Sequence, residues 1–176
     1  MTEQTTTLTS HSGLLTIDSP LGRIGLHSQS GEDGAAAAVT RVEIATAGQL
    51  STDGDADRPT VVLRLAATQL AEYFAGVRTE FTVPVRMQGT AFQQAIWGEL
   101  TAIPFGTARG YGELGRLTGR AAGGRAVGGA VGANPVPLLV PCHRVLASNA
   151  RITGYSAGDG VATKIWLLDH EAIPHR

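Results

Sequence analysis

Residues 134–145 read NPVPLLVPCHRV, and the rest of the chain can be ordered around this stretch. Pro135 and Pro137 rule out a regular helix, so the run Leu138, Leu139, Val140 is expected to be extended and buried, and Cys142 to emerge from a rigid, apolar-walled segment. Cys142 is the single cysteine of the chain. It can form neither an intramolecular disulfide nor a Cys-rich zinc site, which leaves a small buried hydrophobe or a reactive thiolate. Apolar walls raise a thiol's pKa unless a base or a positive charge stands near, and His143 and Arg144 are both candidates. Neighbours in an extended chain point to opposite sides, so a Cys142 to His143 relay needs a bridging water or a non-extended turn at Pro141. An imidazole base also needs an acceptor on its other nitrogen. Glu171 is the preferred carboxylate and Asp169 the competitor, both at the end of a helical stretch that begins near Val161.

Just upstream, residues 125–133 read RAVGGAVGA and are expected to form a helix despite their glycines. A brief helix over residues 113–118 and a turn over residues 119–124 precede it, so the pair reads as a helix-turn-helix with Arg125 opening the second helix. Gly128, Gly129 and Gly132 forfeit helix stability and add no core volume, which a helix serving only to pack would not do. A flat face of small residues lets backbone approach a groove closely. No base-reading Asn or Gln lies in that helix, which argues against sequence-specific reading of the major groove. Before this pair, Thr90 and Gln93 form a capping box ahead of Phe92, Ile96, Leu100 and Ile103, a helix that stops at Pro104 and Gly106.

The N-terminal part has another texture. Period-two alternation over residues 14–18, 22–28 and 39–45 predicts three half-buried strands, the first two joined by a turn at Pro20 and Gly22. Residues 30–38 and 47–59 read as acidic, small-residue loops. After Pro59 a helical stripe of Leu63, Ala67, Leu70, Tyr73 and Phe74 runs to Gly76 and can cover the sheet, and residues 84–89 read as a linker. Two domains are therefore expected, residues 1–88 and 89–176.

With 43% hydrophobic and 16% charged residues, the composition fits a folded soluble protein. No apolar run approaches the ~20 residues of a membrane span, and the opening MTEQTTTLTSHSG lacks the order of a secretory signal, so no membrane partner and a cytoplasmic location are expected. The net charge of −1 hides an asymmetry. Residues 1–104 carry six arginines against eleven acidic residues, a net −5, whereas residues 105–176 carry seven arginines and one lysine against four acidic residues, a net +4. A basic second half suits a polyanion such as nucleic acid.

PCHRV after NPVP, preceded by RAVGGAVGAN, resembles the signature of the O6-alkylguanine-DNA alkyltransferases. The similarity extends upstream through AFQQAIWGELTAIPFGTARGYGEL and QLAEYFAG and downstream to GYSAG and KIWLLDHE, roughly residues 60–173. The resemblance implies an α/β N-terminal domain with a small, ribonuclease-H-like antiparallel sheet plus helix, followed by a mainly α C-terminal domain containing the helix-turn-helix. It implies that Cys142 accepts an alkyl group from O6-alkylguanine, with O4-alkylthymine as a second candidate substrate, after the base is flipped out of double-stranded DNA gripped through the minor groove. His143 would act through a water as the base, Glu171 would orient it, and Tyr111 would offer its hydroxyl to the leaving guanine. Asn134 would join the helix pair to the active-site turn. Arg125 would enter the space left by the extruded nucleotide, with Ala126, Gly128 and Gly129 along the DNA, and Val145, Tyr155, Ser156 and Lys164 would line the base pocket.

The same resemblance implies no cofactor, a monomer in solution and cooperative binding on DNA. Some relatives hold zinc through N-terminal cysteines; this chain has none there, so no metal is expected. The chain departs from the family pattern in GYSAGDGVATK, residues 154–164, which is about two residues longer than expected over the base pocket. Gly110 and Gly115 also stand where the family more often has Ser and Ala. Rival readings are a flipping DNA binder that transfers nothing, a helix-turn-helix regulator, and a cysteine hydrolase using Cys142, His143 and Glu171.

Overall fold

Alternating apolar residues build the first layer. In the computed structural model, which describes residues 12–31, 36–119 and 124–176, strands β1 (Ser12–Ser19), β2 (Gly22–Gln29) and β3 (Ala38–Ile44) form one antiparallel sheet in that order. Its register sets Ile17 opposite Ile24, Leu26 opposite Val42 and Ile24 opposite Ile44, so one face is mainly apolar, with buried Ser28 hydrogen-bonded to Thr60 at its end. Gly22, at φ +88°, makes the turn that a side chain would strain.

Helix α1 (Val61–Phe74) covers that face, capped by the Thr60 side chain and followed by Gly76 at φ +74°. Its buried stripe holds Val62, Leu63, Ala66, Gln69, Leu70 and Tyr73, while Ala67 and Phe74 are half-buried, so the helix is turned slightly from the expected orientation. Gln69 decides that turn: its amide accepts from Thr82 N and Val83 N and donates to Thr82 Oγ1. The expected linker over residues 84–89 is pinned rather than loose. Val39 N donates to Pro84 O and Arg86 N donates to Val39 O, which lays the segment along β3.

Helix α2 (Ala91–Thr101) opens on the expected Thr90/Gln93 capping box, and its Trp97 indole donates to Ala130 O at 2.8 Å. A two-residue strand β4 (Arg109–Gly110) leads into α3 (Tyr111–Leu117), and α4 (Gly124–Gly132) follows. Of the expected turn over residues 119–124, residues 120–123 lie outside the described residues. Strand β5 (Val145–Leu146) pairs in parallel with β4, and α5 (Val161–His170) packs against the turn before β5.

The residues ahead of Cys142 are buried as expected but not extended. Leu138 adopts φ +75° and Val140 N donates to Val136 O at 3.0 Å, a tight turn closed by apolar packing. One buried core runs from Ile24 and Leu26 through Leu63 and Leu100 to Val131, Leu138 and Leu167, continuous across the 88/89 position. Among the described residues no helix is long and apolar enough to cross a membrane.

Candidate active site

The turn at Leu138 and the half-rigid Pro141 deliver Cys142 into a short 3-10 turn, Cys142–Arg144. In this conformation the three side chains fan out instead of alternating. Cys142 is 4% exposed and lies on a cavity of about 330 Å³. Tyr111, Gly128, Tyr155, Ser156 and Lys164 also line that cavity. The Cys142 Sγ is 4.0 Å from the Tyr155 hydroxyl. Asn134 fastens the end of α4 to the active-site turn: its Nδ2 donates to Val140 O at 2.7 Å and its Oδ1 accepts from Val136 N at 3.1 Å.

Burial pushes the Cys142 thiol above its ordinary pKa, while hydrogen bonds from Asn134 and Tyr155 and the charge of Lys164 pull the other way. The resting sulfur is therefore a neutral thiol that needs a base. His143, fully buried, is that base's candidate. Its Nε2 is 2.8 Å from Glu171 Oε1. Burial lowers the imidazole pKa against the opposing pull of Glu171, which keeps the ring neutral. A carboxylate only accepts, so Nε2 carries the proton and Nδ1 carries the lone pair. No described protein group partners Nδ1.

Glu171 ends α5 with its side chain wholly inaccessible. Burial alone would raise its carboxyl; hydrogen bonds from His143 and Arg144 reverse this and hold it at about 2. Oε1 accepts from Tyr73, His143 and Arg144 Nη2 at 2.7, 2.8 and 3.0 Å. Oε2 accepts from Arg144 Nε at 2.7 Å and from Gly106 N at 3.3 Å. Asp169, the competing carboxylate, is exposed and lies 3.8 Å from His175. Arg144 faces Glu171, Ile103 O and the ring of Phe105, so it fixes the carboxylate and does not lower the thiol's pKa directly.

Lys164 is buried with its Nζ donating to Val145 O at 2.6 Å and reaching Gly154 O at 3.4 Å; burial lowers its pKa to about 8. Val145 itself sits in the core, away from the cavity lining, and meets the site through the carbonyl that Lys164 holds. Arg125, Ala126 and Gly129 are exposed on the first turns of α4, whereas Gly128 faces the cavity. Tyr111 opens α3 at the cavity wall. The loop that holds residues 156–159 is docked on two sides: Ser156 Oγ donates to Gly132 O, Thr46 Oγ1 donates to Gly158 O, and Ala47 N donates to Asp159 Oδ1. The sequence reading missed Tyr73 and Gly106 as partners of Glu171. Tyr73 stands in the quoted QLAEYFAG, but its position on an apolar stripe makes it look like core alone.

A lone buried thiol on a cavity of about 330 Å³, beside a neutral imidazole locked to a carboxylate, is an arrangement suited to cysteine-dependent group transfer or hydrolysis. The chain belongs to the O6-methylguanine-DNA methyltransferase family. Residues 91–173 match the family model described as 6-O-methylguanine DNA methyltransferase, DNA binding domain. An inducible methylated-DNA--protein-cysteine methyltransferase of Bacillus subtilis is 41% identical over 114 residues, 62% of this chain and 64% of that protein. A Mycobacterium tuberculosis counterpart is 46% identical over 106 residues, 60% of this chain and 63% of that protein. The aligned stretch thus spans just under two thirds of each relative. The crystal structure of the Mycobacterium tuberculosis O6-methylguanine methyltransferase superposes with a TM-score of 0.76 at 35% identity, covering 92% of this chain and 93% of that one. The structure of that organism's OGT in complex with DNA gives 0.73 at 37% identity, over 89% and 90% of the two chains.

Proposed function

We propose that this protein repairs DNA by direct reversal, moving the alkyl group of O6-alkylguanine irreversibly to its own Cys142. The observation that carries this reading is the placement of the chain's only thiol on the cavity next to His143, whose lone-pair nitrogen has no partner among the described residues while its other nitrogen is held by Glu171. A water bridging His143 Nδ1 and Cys142 relays the thiol proton to that nitrogen, leaving a thiolate and an imidazolium held by Glu171. The thiolate then attacks the O-alkyl carbon in line, the carbon–O6 bond breaks, and the electron pair leaves with guanine. Tyr111 supplies a proton to that anion. The product is a thioether with no feasible leaving group, so each molecule acts once. O4-alkylthymine presents the same electrophilic carbon.

A lesion stacked inside a duplex cannot reach a buried thiol, which makes base flipping part of the reading. In it, α3 and α4 act as a helix-turn-helix whose small-residue face meets the minor groove, and Arg125 fills the gap in the stack. Capture of a relative with DNA supports nucleic acid as the partner. Residues 1–88 form the ribonuclease-H-like domain and residues 89–176 the alkyl-acceptor domain. The protein is a cytoplasmic monomer that assembles cooperatively on DNA, with no cofactor.

Incubation with one equivalent of O6-methylguanine oligonucleotide should add a single methyl group to the intact mass, located on the peptide containing Cys142. An unmodified mass, or a thiol regenerated with turnover as in a hydrolase, refutes the reading. Arg125→Ala should slow repair of duplex DNA by about tenfold or more, the equivalent of about 1.4 kcal/mol or more of lost unstacking support, while transfer from the free O6-methylguanine base changes by less than about twofold. Equal losses on both substrates would rule out the gap-filling role.

A further inference from the structure

Helix α1 belongs to the N-terminal half, yet its last full turn places Tyr73 against the carboxylate of the relay. The phenol donates to Glu171 Oε1 at 2.7 Å across a sequence separation of 98 residues, and the tyrosine is 1% exposed. We propose that Tyr73 is a positioning residue for alkyl transfer, one that shares Oε1 with His143 and thereby sets how strongly Glu171 can pull a proton onto the imidazole. The inference rests on the transfer reading above and assigns that reaction a control point outside the acceptor half.

Geometry supports this beyond simple packing. Three donors converge on Oε1, namely Tyr73 Oη, His143 Nε2 and Arg144 Nη2, whereas Oε2 serves Arg144 Nε and Gly106 N. Every donor on a carboxylate oxygen draws off negative charge and reduces what remains for the others. Removing the phenol proton would leave Glu171 still fully bonded but a better partner for an imidazolium. His143 would then protonate more readily. The phenol itself is held in one place: its ring meets Phe74, Phe81, Phe105 and His170 at centroid distances of 5.4, 5.5, 6.2 and 4.9 Å. His170 Nε2 lies 2.8 Å from Tyr73 O, which ties α5, the helix that carries Glu171, to the end of α1.

The charged and titratable groups around the pair are few. Arg144 touches Glu171 from the 3-10 turn, Lys164 and Cys142 bear on the site from the cavity side, Tyr155 stands by the thiol, and His170 packs on the Tyr73 ring. None of them shares Oε1 except Arg144, whose second contact on Oε2 anchors it independently of Tyr73.

The test is Tyr73→Phe, which keeps the ring and deletes only the donor. Single-turnover transfer from an O6-methylguanine duplex is followed between about pH 5 and pH 9, and the imidazole nitrogens of His143 are titrated by NMR in the same variant. The acid limb of the rate profile and the His143 midpoint should both move up by at least about half a pH unit, making the variant about threefold slower on that limb and close to wild type on the alkaline plateau. A uniform loss of rate with no movement of either midpoint is what a purely structural tyrosine would give, and it overturns the proposal. If the variant does not fold, the wild-type hydroxyl proton of Tyr73 decides: a slowly exchanging downfield resonance with a cross-peak to His143 Hε2 is expected, and its absence also overturns the proposal. Should the wild type transfer no methyl group, the repair reading fails, yet the NMR midpoints still test the Tyr73 to His143 coupling separately.

Discussion

Cys142→Ala should abolish methyl transfer while the affinity for an O6-methylguanine duplex stays within about threefold of wild type. The chain holds no second thiol, and the next nucleophilic atom on the cavity, Lys164 Nζ, is turned toward Val145 O and Gly154 O. Binding should survive because the exposed residues of α4, Arg125, Ala126 and Gly129, belong to a different surface from the buried sulfur. Replacing one buried sulfur with hydrogen costs on the order of 1 kcal/mol of stability, too little to unfold a domain and confuse the result. Cys142→Ser sharpens the test, since a hydroxyl retains the shape but is a far poorer nucleophile toward an alkyl carbon. Intact mass with the methylated duplex and a parallel fluorescence titration measure both halves. Transfer persisting in either variant would remove the basis of the proposed function, and loss of binding in Cys142→Ala would make the sulfur a structural group.

Local signals were readable from the chain, and long-range ones were not. The three strands, the Thr90/Gln93 capping box and the short helices flanking residues 119–124 depend on alternation, caps and glycines a few residues apart, and they appear where those signals lie. The turn at Leu138 was hidden because Pro135 and Pro137 suit an extended chain equally well, and a leucine at φ +75° is imposed by its buried neighbours rather than by its own preference. Residues 84–89 looked like a linker because their partner, β3, lies more than forty positions earlier. The thiol, the imidazole and Glu171 were legible from residue chemistry and resemblance together. Tyr73 and Gly106 were not, since a donor that reaches a carboxylate 98 or 65 positions away leaves no periodic trace. Arg144 was read as a candidate charge for lowering the thiol's pKa, whereas it faces Glu171, because only the 3-10 turn decides which side of the chain it faces.

Glu171→Gln should produce the largest stability change short of unfolding, together with a loss of transfer of at least about a hundredfold. The substituted amide can offer its oxygen to Arg144, but it then presents an NH2 group to His143 Nε2, favouring the tautomer whose Nδ1 carries a proton and can no longer act as base. It also leaves the Arg144 guanidinium, with a side chain 6% exposed, without a counter-ion. Breaking a buried pair in this way costs about 3–5 kcal/mol. The pH dependence separates this account from generic damage. In the folded wild type the Glu171 carboxyl titrates at about 2 against an ordinary 4.5, so its contribution is fully present above pH 4.5 and is lost as the pH falls toward 2. Linkage makes that loss on the order of 3 kcal/mol. His143 acts in the same direction from its ordinary 6.5 downward, because the unfolded imidazole takes up a proton that the buried ring resists. The variant has no carboxyl to titrate at this position. Urea unfolding of the two proteins between pH 7 and pH 2 should therefore show curves far apart at neutrality that converge in acid, provided both fold at the upper end. Curves that run parallel over that range would mean that Glu171 does not hold its proton balance through His143 and Arg144, and the relay built on it would have to be abandoned.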